Sequence, residues 1–460
     1  MRKTPWFYLM LWMAKAMIAF MRLLGKNATN LPGEVALILC PTFLGRLEKP
    51  ETILAVTGTN GKTTVTNMIA DVLESAGYDF TCNRMGGNVD TGITTMLIKD
   101  STWRGKARRK MAVLEIDERS APRIYPYLQP DYLVCTNLFR DSANRNAHSD
   151  YIREILTKYI PKKTKLILNA DDLISSRLSP GNERVTFGID HLPGEVPITD
   201  NIIKDVVACP VCDYPLAYEF IRYNHIGRAH CTHCDFGSPA VDYAVTAVDR
   251  QGGSLTIRTP DGDEVYRLLG HNVTDWYNSV AVVALLRRFG LSYETLRQVF
   301  ADMKIVSTRF NSEKAGKWTI IEMLAKGQNP VACSRVFDFI RKEPGKKAVM
   351  LAIDDFFYNR GGSEYTAWIY EADFEFLKDE SIRKIVIGGK RAWDFQLRLL
   401  MAGMEPERIV CCRHEQEMAP FVPLDEVDTV VLLHDTWNTP YTDPAKQELR
   451  SLCAERGKGE

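Results

Sequence analysis

Residues 54–74 read LAVTGTNGKTTVTNMIADVLE: an apolar strand, a tight turn of Gly, Thr and Asn ending in Lys62 and Thr63, then an amphipathic helical run. That order predicts a strand–loop–helix unit whose loop amides and helix N-terminus offer partial positive charge to an anion. Gly58, Thr59, Asn60, Gly61 and Thr64 supply the cradle, Lys62 reaches the outer phosphates, and Thr63 is the hydroxyl ligand for Mg²⁺. The expected ligand is ATP. The common form of this loop is G-x-x-x-x-G-K-[ST]; here Val56 stands at the first Gly, and the run is T-G-T-N-G-K-T-T.

Apolar, β-rich runs recur downstream at 111–117, 131–137, 165–172 and 184–190, and again at 347–355, 383–389, 407–413 and 428–435, separated by helix candidates such as EADFEFLKD and RAWDFQLRLLMAG. Such alternation predicts two α/β domains, each with a mostly parallel, doubly wound sheet. The expected organisation is a helical lead over 1–45, a central ATP-binding domain over 46–300, and a smaller α/β domain over 301–460 without its own phosphate loop. The chain of 460 residues carries 58 Lys+Arg against 58 Asp+Glu, so no global field points to nucleic acid.

Between the two halves, Cys209 and Cys212 form one C-x-x-C and Cys231 and Cys234 another, 18 residues apart. Four thiolates at that spacing suit tetrahedral Zn²⁺ in a structural zinc ribbon inserted at about 203–240. His230 and His233 are competing ligands, though the paired knuckles are complete without them. Eleven cysteines with no cleavable signal predict a reducing, cytoplasmic setting. The segment Pro5–Ala14, PWFYLMLWMA, either lies at the inner face of a membrane, with Trp6, Phe7, Leu11, Trp12 and Met17 on one helical face, or docks on the protein's own core.

Phosphoryl-transfer chemistry needs a further metal ligand. Glu115, ending the MAVLEID run, is the candidate, with Asp117 and Glu118 beside it. Asn137, Arg140, Asp141 and Arg145 follow the next strand and are candidates to line a substrate cleft.

TGTNGKTT, LEIDE, TNLFRD, LNADD, the four-Cys ribbon, LAK…NP and WIYEADFE resemble, in order and over nearly the whole chain, the MurT family within the Mur ligase and folylpolyglutamate synthase superfamily. These are ligase subunits of lipid II isoglutaminyl synthase, paired with a GatD glutaminase. The resemblance implies a Mur ligase-like central domain with a Rossmann-like C-terminal domain. It implies a carboxylate–amine ligase that uses ATP and Mg²⁺ to amidate the D-glutamate α-carboxylate of the lipid II stem peptide through an acyl phosphate. Ammonia is expected from a separate GatD-like subunit, because the contexts LILCPT, FTCNR, LVCTN and VACSR lack the glycine-flanked elbow of a glutaminase cysteine.

The family's adenine-binding N-x-x-N-x-L-A-A implies a role for Asn278, while Asp275 falls where the first Asn belongs and reads equally as a helix cap. The acid with which the family completes its partner's triad has no clear counterpart: Tyr365 stands at that offset from Trp368, and Glu364, Asp355 and Asp354 are the alternatives. Two other readings remain open from the residues alone, an amino-acid-adding Mur or folylpolyglutamate-type ligase and a divergent non-catalytic ATP-binding paralogue.

Overall fold

The structure, a computed structural model, describes residues 1–84, 87–140, 148–270, 272–303, 310–325, 327, 329–353, 366–435 and 439–457. They form two compact units: the first spans Met1–Phe139, His148–Thr199 and Val206–Ile305, and the second is chiefly Val306–Glu460 with Arg140 and Asp200–Asp205.

The first unit is built on a nine-stranded sheet. Its members are β1 (Thr52–Thr57), β2 (Phe80–Cys82), β3 (Met111–Glu115), β4 (Tyr132–Cys135), β5 (Lys165–Asn169) and β6 (Arg184–Ile189), then β9 (Tyr243–Asp249), β10 (Ser254–Thr259) and β11 (Gly262–Arg267). The order is β2-β3-β1-β4-β5-β6-β9-β10-β11, parallel as far as β9, with β10 and β11 antiparallel. From Ile53 to Thr57 every residue of β1 is buried, as a strand covered by helices on both faces requires. The chain leaves β1 for β2 and β3 on one side and returns for β4 on the other. This reversal opens a crevice at the carboxyl end of β1, where open α/β sheets bind ligands.

The helices α1 (Pro5–Leu23), α2 (Leu31–Leu39) and α3 (Phe43–Arg46) pack into the core of this first unit. Helix α4 (Lys62–Ser75) follows the loop after β1, and α5 (Asp90–Lys99) packs against α2. The grouping of Trp6, Phe7, Leu11, Trp12 and Met17 on one helical face is corrected: Phe7 and Leu11 are fully buried, whereas Trp6 and Trp12 are each 50% exposed. The reason is spacing. At ~100° per residue, Trp6 and Trp12 each diverge by ~120° from the mean direction of Phe7 and Leu11, on either side, and because the helix is apolar nearly all round the core could take either side.

A separate two-stranded ribbon, β7 (Leu216–Tyr223) and β8 (Ile226–Cys231), turns at Asn224, whose φ of +49° suits Asn at a tight hairpin turn. The three strands β9–β11 were not anticipated. Pro260-Asp261, the two-residue turn between β10 and β11, followed by Gly262, was the signal that could have found them.

The second unit's sheet, in the order β12-β13-β17-β14-β15-β16, comprises β12 (Phe310–Ala315), β13 (Trp318–Leu324), β14 (Lys347–Ala352), β15 (Ile382–Gly388), β16 (Ile409–Cys412) and β17 (Thr429–His434). Only the β12–β13 pair is antiparallel. Val349, Leu351, Val431 and Leu433 enter one core, and Ala348, Met350, Val430 and Leu432 the other, so both faces are covered. The segment EADFEFLKD, expected as a helix, is corrected to the end of a short turn of helix (Trp368–Glu371) and a 3₁₀ segment (Phe374–Lys378), with Phe374, Phe376 and Leu377 buried.

Candidate active site

The turn between β1 and α4 is a concave loop held from behind. Gly58 has φ +126° and Gly61 φ +86°, conformations that side-chain-bearing residues avoid. A Cβ at Gly58 would stand 2.2 Å from Thr136 Oγ1, and one at Gly61 would stand 2.6 Å from Asn278 Oδ1. The segment after β4 staples the loop. Asn137 accepts from Asn60 N through Oδ1 (3.0 Å) and donates to Asn60 O through Nδ2 (3.1 Å), while Thr136 Oγ1 donates to Asn60 O (2.7 Å). Thr59 N donates to Asn137 O at 2.8 Å, and Phe139 N donates to Thr59 Oγ1 at 2.9 Å. Asn137, expected to line an open cleft, is thus consumed inside the protein as a brace.

Asn137→Ala removes both side-chain bonds to Asn60 and leaves the backbone bond in place. ATP affinity should fall by ~10-fold, or ~1.4 kcal/mol, with little change in melting temperature. Calorimetric titration with a non-hydrolysable ATP analogue checks this, and an unchanged Kd would deny Asn137 that role.

Helix α4 begins at Lys62 directly after Gly61, so its first amides face the concavity. Lys62 Nζ donates to the carbonyl of Gly58 and forms an ion pair with Glu118 Oε1 at 2.9 Å. Burial draws the Lys62 pKa down, but Glu118, aided by Asp117 and Glu115, outweighs it, so the net direction is up and the ammonium keeps its charge. Thr63 Oγ1 donates to Glu115 Oε2 at 2.8 Å, and Asn88 Nδ2 donates to the other oxygen, Oε1, at 2.9 Å. Asn83 closes the backbone of Glu115 on both sides, accepting from its N–H and donating to its C=O, each at 2.8 Å. Two oxygen donors suited to Mg²⁺, Thr63 and Glu115, therefore lie side by side at the loop mouth. Asn60 Nδ2 is buried without a hydrogen-bond partner in the same loop. An unpaired donor, helix-terminal amides and a lysine on one concave surface fit a nucleotide's phosphates.

Asn278, on the helix Val273–Phe289, lies against Gly61, so the residue expected to meet adenine is brought to the phosphate loop. Asp275 behaves as a cap: its Oδ2 accepts from Asn272 N at 3.3 Å, three residues back across the helix start. Thr64 sits in the first turn of α4. Arg140 pairs with Asp205 and Glu371 instead of standing open. Asp141, Arg145, Asp354, Asp355, Glu364 and Tyr365 lie outside the described residues.

The four cysteines converge. Their sulfur atoms all lie within 4.8 Å of one another, with Cys209–Cys234 at 3.6 Å, Cys212–Cys231 at 3.4 Å and Cys212–Cys234 at 3.5 Å. Four thiolates ~2.3 Å from one ion would be ~3.8 Å apart, close to these separations. Backbone amides of Val211 and His233 point at Cys209 and Cys231 sulfurs (3.4 and 3.3 Å), as tight C-x-x-C turns require. The donor set suits Zn²⁺. Neither His230 nor His233 joins the cluster, and His233 stacks on Tyr214 instead.

Several working residues gave little signal in the sequence. Glu118 is the buried partner of Lys62, although LEIDE marked it only as one of three neighbouring acids. At the far end of the ribbon His225, fully buried, meets Asp172 Oδ1 at 3.2 Å, and Asp172 Oδ2 accepts from Leu138 N at 2.7 Å, one residue beyond the brace. In the second unit Asp435 Oδ2 accepts from Gly327 N (2.7 Å), and Glu322 bonds both Lys446 (2.6 Å) and His434 (3.2 Å).

A mostly parallel sheet with a braced glycine loop and a Thr–carboxylate pair at its switch point is the arrangement of a Mur ligase-type α/β domain. The chain matches the Mur ligase middle domain over residues 56–207 and the MurT ligase C-terminal domain over 326–435. Among solved structures it is similar to a pseudomurein peptide ligase type C from Methanothermus fervidus, with TM-score 0.66 and 19% identity over 89% of this chain and 81% of that one. It is also similar to MurF ligase from Thermotoga maritima in complex with ADP, with TM-score 0.60 and 15% identity over 92% and 85%. The subunit MurT of lipid II isoglutaminyl synthase (glutamine-hydrolyzing) from Staphylococcus aureus strain COL is 32% identical over 85% of this chain and 86% of its own, and that from Streptococcus pneumoniae is 31% identical over 94% of each. The chain belongs to the MurT family.

Proposed function

We propose that this chain is the ligase subunit of a lipid II isoglutaminyl synthase, amidating the D-glutamate α-carboxylate of the stem peptide at the cytoplasmic face of the membrane. The observation that carries the reading is the braced loop with Lys62 and the adjoining Thr63–Glu115 pair, in a chain similar to MurT subunits over 85% of its length.

In this reading Thr63 and Glu115 would hold Mg²⁺, whose chemistry there would be to neutralise charge on the transferring phosphoryl group. The amides of Gly61 to Thr64 would bind the phosphates, Lys62 Nζ would meet the outer ones, and Asn278, beside Gly61, would lie at the phosphate end of the nucleotide. A carboxylate oxygen attacks the γ-phosphorus, and the bond to the bridging oxygen breaks to release ADP. Ammonia nitrogen then attacks the acyl phosphate carbon, phosphate leaves with the bonding pair, and the nitrogen gives up a proton. Ammonia arrives from a GatD-like glutaminase subunit. Cys209, Cys212, Cys231 and Cys234 hold a structural Zn²⁺ with no position left open for substrate.

Full-length chain with ATP, Mg²⁺ and lipid-linked muropeptide should release ADP and form the amide with ammonium, but not with glutamine alone or with amino acids. Amino-acid incorporation in place of ammonia would assign the chain to the amino-acid-adding ligases. ADP release untouched by muropeptide and ammonia would mark a non-catalytic binder.

A further inference from the structure

Helix α1 spends one face on the core, through Phe7, Met10, Leu11, Ala14 and Ile18. Its other face is not polar. Every exposed position from Pro5 to Phe20 is apolar, including Trp6, Leu9, Trp12 and Phe20, and at ~100° per residue these form one stripe opposite the buried one. A helix lying on a soluble protein puts charge there.

The stripe continues onto its neighbours. Trp6 Nε1 donates to Leu39 O (2.9 Å) at the end of α2, where Ile38 is 69% exposed, and Trp12 Nε1 donates to Trp103 O (3.0 Å), with Trp103 itself 60% exposed. Both indole N–H groups are thereby satisfied within the protein, and the rings turn hydrocarbon outward.

Around it basic side chains outnumber acidic ones. Residues 1–33 hold Arg2, Lys3, Lys15, Arg22 and Lys26 and no acid, and residues 101–110 hold five further Arg and Lys, of which Arg109 pairs with Asp79 and Asp100 and Lys110 faces Glu51, while Glu34 is the exposed acid on α2, in a chain whose charges balance overall at 58 against 58. The two segments adjoin, since Lys3 Nζ donates to the carbonyls of Arg104 and Gly105, each at 3.0 Å.

We propose that this face, α1 with the end of α2 and the Trp103 loop, docks on an anionic phospholipid bilayer. Trp, Leu and Phe enter the headgroup boundary while the surrounding Arg and Lys meet lipid phosphates. A protein partner would be met by hydrogen-bonding groups among the apolar ones, and the stripe has none; a second copy would oppose two rims of like charge.

The test is co-sedimentation of the full chain with vesicles of phosphatidylcholine, alone or mixed with phosphatidylglycerol, without muropeptide or ATP, so that it reads independently of the reaction proposed above. The wild type should bind the mixed vesicles, and less so as salt rises. Leu9→Glu/Phe20→Glu alters two exposed side chains and should lower that binding by ~10-fold or more, with ATP affinity and melting temperature retained. Absence of binding to the mixed vesicles, equal binding to neutral ones, or undiminished binding by the variant would overturn the proposal. So would a soluble dimer, without vesicle binding, that the variant splits.

Discussion

Lys62→Ala should lower amidation by ~10³-fold or more, since in the proposed reaction it removes the cation that would meet the transferring phosphoryl group. The structure adds a second effect that the loop motif does not disclose. Glu118 is 2% exposed and Lys62 is its ion-pair partner. Removing the lysine strands a buried carboxylate, at a cost of ~3 kcal/mol. That carboxylate would take up a proton more readily than an unfolded one, and burial already pushes the Glu118 pKa up. A folded pKa above the unfolded value of ~4.3 means that the variant's stability declines as pH rises beyond it. Lys62→Ala/Glu118→Gln should recover most of the melting temperature and none of the turnover. Undiminished turnover in the single variant would remove Lys62 from phosphate binding, and unchanged stability would deny the ion pair.

Cys212→Ser should abolish stoichiometric zinc and loosen the knuckle end of the ribbon with it. Structural zinc contributes ~10–16 kcal/mol to small domains that fold around it, so even one lost thiolate costs several kcal/mol. The wild type should carry one zinc per chain by elemental analysis, and the variant should lose it to a mild chelator and melt at lower temperature. Full zinc content in the variant would refute the four-thiolate site.

What could be read from the chain divides by how far apart the cooperating residues lie. The phosphate loop is contiguous and each C-x-x-C is local, so the geometry at Gly61 and at Cys231 follows from short-range spacing. The buried parallel strands announce themselves as apolar runs. Partnerships across the fold leave no such trace. Glu118 beside Lys62, Asn83 against Glu115 and His225 against Asp172 are set by tertiary packing, and one sequence gives no pairing information. The side of α1 that would be buried was equally hidden, because a helix apolar all round carries no periodic signal. Strands β9–β11 alternate polar and apolar residues over short lengths, and a Pro-Asp turn followed by Gly was their one plain mark.

The ribbon is closed on itself at one end by four converging sulfurs and seated on the unit's body at the other through the His225 turn, on Asp172. It therefore cannot be treated as a detachable ornament. Excising residues 208–238 and closing the gap would leave Asp172 without the imidazole, next to the very strand end that props the nucleotide loop. A trimmed protein of that kind would sacrifice grip on ATP along with its metal, whereas silencing the thiols alone would spare the opposite anchor.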